Sequence, residues 1–72
     1  MNELSRSRTS GIDRSLQILD TLTETNKEMS AYELCKAIGA PQSTVYRLVD
    51  ELVERGMLSR RNHGQIWLGP RL

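Results

Sequence analysis

Apolar positions fall at helical spacing three times along the chain before the pattern changes to alternation near its end. From Gly11 to about Asn26, Ile12, Leu16 and Leu19 lie on one stripe at roughly 100° per residue, with Ile18 and Leu22 well to its side. This apolar sector is wider than one contact needs: either the domain wraps the helix on two sides, or part of it meets a partner. Ser30-Ala31-Tyr32-Glu33 forms a capping box, in which Ser30 takes an orphan amide and Glu33 reaches back. It predicts a short second helix whose Ala31, Leu34, Cys35 and Ile38 share a face, stopped by Gly39. Ala40-Pro41 opens a third helix over about 41–55, since proline fits a first turn where its missing N–H costs nothing. Val45, Leu48, Val49 and Leu52 form its apolar stripe, and Arg55-Gly56 ends it.

After the third helix the period shortens. Met57 to Arg60 and Gln65 to Leu68 read as two strands around the polar turn Arg61-Asn62-His63-Gly64, where Asn and Gly suit positive φ. Leu58, Ile66 and Leu68 share the inward face, Trp67 points the other way, and Gly69-Pro70 breaks the second strand. Helix, helix, a short turn with Gly, helix, hairpin: this order predicts a mainly α fold, a winged helix-turn-helix. Three helices are followed by a two-stranded β-hairpin wing. Residues 1–10, polar and Ser-rich, read as a flexible arm carrying Arg6 and Arg8, which could act in a minor groove, ahead of a domain over 11–72.

Composition narrows the possibilities. A chain of 72 residues with 38% apolar content and no Phe supports one small aliphatic core. Net charge is only +1, but its distribution is uneven. From Pro41 to Leu72 five arginines stand against three acids, whereas Asp13 to Glu28 carries two cations against four acids. The single Cys35 cannot form an internal disulfide and is expected to pack in the core. With neither a secretory signal nor an apolar run of the roughly 18 residues that a membrane span needs, a cytoplasmic protein is expected. One His, one Cys and no phosphate loop argue against an enzyme, a metal site or a cofactor, and His63 reads as a loop residue.

Candidate chemistry lies on the third helix. Opposite its apolar stripe stand Ser43, Arg47, Asp50 and Glu54, with Thr44 and Tyr46 flanking them. Recognition helices touch bases mainly with their N-terminal residues, so Gln42, Ser43, Thr44, Tyr46 and Arg47 are the candidates for DNA. Arg can take guanine bidentately and Gln can take adenine; Ser and Thr serve phosphate or base, and Tyr46 sugar or phosphate. Arg47 could instead pair with Asp50 or Glu51 on a solvated face. Arg60, Arg61, Asn62 and His63 crown the hairpin, on the backbone or in the minor groove, or else keep a two-stranded edge soluble. Ala40 caps poorly, so a DNA phosphate, or water, is expected on the first amides of the third helix.

Several blocks in order resemble the N-terminal domain of the IclR family. They are Asp13-Arg14-Ser15-Leu16-Gln17-Ile18-Leu19, Glu33-Leu34 to Gly39, Pro41-Gln42-Ser43-Thr44-Val45-Tyr46-Arg47-Leu48-Val49, Leu52-Val53-Glu54-Arg55-Gly56 and Leu68-Gly69-Pro70-Arg71-Leu72. Two positions depart from the family pattern: Ala40 replaces a larger apolar residue, and Met57 replaces a common aromatic. The resemblance implies a bacterial regulator, repressor or activator, that binds double-stranded operator DNA as a dimer or dimer of dimers. A small-molecule effector would act only through a C-terminal domain absent from this chain. In line with it, Ile18 and Leu22 on the first helix are the candidates for a homodimer contact. The competing reading is a winged helix that serves as a protein–protein interaction module.

Overall fold

Three helices form where the apolar periodicity places them: α1 (Gly11–Thr25), α2 (Ala31–Ile38) and α3 (Gln42–Glu54). The computed structural model describes residues 11–71; the expected arm 1–10, with Arg6 and Arg8, lies outside the described residues. Asn26, at φ 54°, turns the chain after α1, and its amide donates to the Leu22 carbonyl at 2.8 Å. The capping box of α2 is complete: Ser30 Oγ accepts from the Glu33 amide at 3.0 Å, and the Glu33 carboxylate accepts from the Ser30 amide at 2.8 Å. Gly39, left-handed at φ 71°, ends α2. The cap position of α3 is Pro41, not Ala40, whose methyl is buried in the core instead.

The sheet has one strand more than the pattern predicts. β1 (Met29–Ser30), β2 (Leu58–Arg60) and β3 (Gln65–Leu68) pair antiparallel in the order β1-β3-β2. Met29 lies opposite Ile66 and Ser30 opposite Gln65. Two residues are too few to show alternation, and their partners are distant in sequence, so β1 leaves no periodic signal. On the other side Leu58 pairs with Leu68, Ser59 with Trp67 and Arg60 with Ile66. Opposed residues share a face, so Arg60 points the same way as Leu58, toward α3. The turn Asn62–Gly64 takes its positive φ at His63 (62°) and Gly64 (74°) rather than at Asn62, and the Arg61 amide donates to the Gln65 carbonyl at 2.7 Å.

The core gathers Ile18, Leu22, Leu34, Val45, Val49, Leu58 and Ile66, all essentially inaccessible, with Met29, Cys35, Leu48 and Leu52 beside them. This corrects the reading of α1. Ile18 and Leu22 are fully buried within the domain and have no surface to offer a second protomer, whereas Ile12 is 74% and Leu16 52% exposed. The physical reason is that α1 packs its Ile18 and Leu22 side against the other helices. Gly11, Ser15, Ile18 and Leu22 repeat at helical spacing, and Gly11 sits close enough to α3 that an added methyl would touch Leu48 Cδ2 at 3.9 Å. The buried stripe is thus Ile18 and Leu22, with half-buried Ser15 a turn before them and Gly11 exposed at the start of the helix.

Candidate nucleic-acid interface

The α3 helix is anchored by its stripe and free on its other side. Val45, Leu48, Val49 and Leu52 are buried, while Gln42, Ser43, Tyr46, Arg47, Asp50 and Glu54 are exposed and Thr44 is half-buried. Its C-terminus is closed by a Schellman motif. The Met57 amide donates to the Leu52 carbonyl at 2.9 Å and that of Gly56 to Val53 at 3.0 Å, with Gly56 at φ 79°. No side chain caps the N-terminus, so its leading amides are left to an outside acceptor.

The candidate arginines are each held by a carboxylate. Arg47 Nη1 lies 3.6 Å from Glu51 Oε2, one turn along α3, so its partner is Glu51 and not Asp50. Arg60 Nη2 donates to Asp50 Oδ1, which joins the end of β2 to the middle of α3. Arg60 is thus not at the tip of the hairpin. Arg61 Nε lies 3.5 Å from Glu28 Oε2, a contact created because β1 brings Glu28 alongside the turn. Asn62 and His63 stand exposed at the tip itself. The sequence reading missed Glu28, since only the β1 pairing reveals it. It also passed over Tyr32 and Lys36, where the ammonium sits 5.6 Å from the centroid of a half-exposed ring. An aromatic and a lysine four residues apart on a helix was the available signal.

Other groups take structural places. Cys35 is 6% exposed, and burial pushes its thiol above the usual range against an opposing backbone hydrogen bond, so it is not primed as a reactive thiolate. Trp67 is half-buried and packs on the margin of the core. Among the described residues, no cluster of three or more His, Cys, Asp or Glu could hold a metal ion, and no helix is long and apolar enough to cross a membrane.

Known proteins share this architecture. A solved IclR homolog from Microbacterium hydrocarbonoxydans, complexed with 4-hydroxybenzoate, is 32% identical to the chain with a TM-score of 0.79. The match covers 86% of this chain and 26% of that one. The IclR family transcriptional regulator from Brucella abortus is 29% identical, with a TM-score of 0.79 over 93% of this chain and 26% of its own. The repressor BlcR of Agobacterium tumefaciens is 26% identical, with a TM-score of 0.76 over 85% and 25%. The chain therefore spans about a quarter of the length of these structures. No curated protein matches it. The family model for the IclR helix-turn-helix domain matches residues 11–62, well over half of the sequence, and the protein belongs to the IclR family of transcriptional regulators, as a winged helix-turn-helix, DNA-binding domain.

Proposed function

We propose that this domain reads double-stranded DNA in a sequence-specific way, with α3 in the major groove and the hairpin on the backbone or in the adjacent minor groove. The observation that carries this is the exposed edge Gln42, Ser43, Tyr46 and Arg47 at the start of a helix whose opposite side is locked into the core. Arg47 and Gln42 read bases, as guanidinium and amide can do bidentately. Ser43, Thr44 and Tyr46 position the helix through phosphate and sugar, and the uncapped amides of α3 take a phosphate. Arg60, Arg61 and Asn62 hold the flanking backbone.

The unit that binds is a dimer formed through the exposed side of α1. Ile12 and Leu16 line a groove of about 910 Å³ with Leu19, Leu48, Leu52 and Met57, and a second copy would cover its α1 side and leave Arg47 and Glu51, which also line it, at the open edge. Two recognition helices about 34–36 Å apart would then read two half-sites. A small-molecule effector acts through a further domain and not through this one.

Two substitutions test the division of labour, read by anisotropy on a duplex selected from a randomised pool and on a scrambled one. Arg47→Ala costs about 1–3 kcal/mol on the selected duplex and much less on the scrambled one. Arg60→Ala weakens binding to the selected duplex and flattens its salt dependence, as loss of a phosphate contact does. Equal loss on both duplexes for Arg47→Ala would remove its base-reading role. Binding that ignores salt would point to a protein-binding module instead.

A further inference from the structure

The three arginines assigned to DNA are all engaged by carboxylates of their own domain, through Glu51, Asp50 and Glu28. The Arg47–Glu51 pair runs in the less favourable direction along the helix, with the cation N-terminal to the acid. The other two pairs cross between elements: Asp50 faces outward from α3 to meet Arg60, and Glu28 meets Arg61 only because β1 joins the sheet. All six side chains are between 44% and 69% exposed. Water screens such pairs, so they are weak enough to be exchanged for a phosphate. They are still strong enough to bias a chain whose net charge is only +1.

We infer that Glu28, Asp50 and Glu51 are specificity-determining residues: they occupy Arg61, Arg60 and Arg47 on arbitrary DNA and yield them only where base contacts complete the fit. This inference rests on the DNA-binding reading above. Discrimination is a difference between affinities, and weakening the wrong complexes raises it as surely as strengthening the right one. Non-specific binding draws almost wholly on phosphate contacts, so an acid competing for each arginine penalises it most. On the preferred sequence Arg47 gains a bidentate base partner, and the aligned backbone offers Arg60 and Arg61 phosphates at fixed positions. The carboxylates are then displaced without net loss.

The test uses Glu28→Gln, Asp50→Asn and Glu51→Gln, singly and together, in the 72-residue chain. Affinities for a scrambled duplex and for one selected from a randomised pool are measured across a salt series. Each neutralisation is expected to raise affinity for the scrambled duplex about 1.5- to 5-fold. The combined variant should steepen its log K against log salt slope by about 0.9 for each arginine released. The selected duplex gains less, so discrimination falls. Two controls separate this from bulk charge. Glu24→Gln, the same charge change on α1, leaves scrambled binding near wild type, and Asp50→Asn gives no gain once Arg60 is already Gln. Equal gains on both duplexes, a gain from Glu24→Gln as large as the others, or a gain that persists without Arg60 would each overturn the inference. A wild-type chain that binds neither duplex would instead end the DNA-binding reading itself.

Discussion

Gly69→Ala is expected to cost about 3 kcal/mol, at the upper end of what over-packing costs and comparable to the whole stability of a domain this small. A methyl at this position would overlap the Gly56 carbonyl oxygen, with the Gly56 carbon and the Leu58 nitrogen each at 2.8 Å. These are backbone atoms and cannot swing aside. They are also tied in place, since the Gly69 amide donates to the Met57 carbonyl and the Arg71 amide to the Gly56 carbonyl, both at 2.9 Å. The close approach of the segment after β3 to the end of α3 thus sets the hairpin against α3. Gly56 differs: an added methyl there meets the flexible Arg71 side chain, so its cost is mainly the left-handed backbone, about 1–2 kcal/mol. Thermal melts by circular dichroism should show the larger fall for Gly69→Ala, at roughly 4–8 °C per kcal/mol. A fall of only a few degrees would mean that the two segments can part without loss.

Leu22→Ala and Leu16→Ala should separate cleanly, although both remove a leucine from the same helix. Leu22 is fully buried among the core side chains, and its truncation is expected to cost about 2–5 kcal/mol by lost transfer energy and an unfilled cavity. Leu16 is half exposed, and in dilute protein its truncation should stay within about 0.5 kcal/mol of wild type. Under the proposed dimer its effect falls on association instead: sedimentation at rising concentration should show weaker self-association for Leu16→Ala and none of the unfolding seen with Leu22→Ala. If Leu16→Ala destabilised the dilute domain as much as Leu22→Ala, the assignment of the two faces of α1 would be wrong.

The exposed side of α3 was legible because helical rotation alone separates it from Val45, Leu48, Val49 and Leu52, and all four proved buried. Gln42, Ser43, Tyr46 and Arg47 needed no tertiary information to be placed outside. The first helix was not legible in this way. Its two apolar stripes satisfy the helical period equally well, and only packing against the other helices selects Ile18 and Leu22 as the inward one. The hairpin was half legible: Leu58 and Ile66 pointed inward as alternation implies, but Arg60 follows Leu58 onto the α3 side, and the positive φ fell on His63.

Sequence by itself determined the three helices, the caps of the second, the C-terminal stop of the third and its polar edge, because periodicity, capping chemistry and chain reversal act between residues a few positions apart. Only the tertiary structure decided which side of α1 is buried, that Met29 and Ser30 form a third strand, and that Glu28 and Asp50 meet Arg61 and Arg60. Those outcomes depend on residues distant in the chain arriving beside one another, and no local pattern encodes such an encounter.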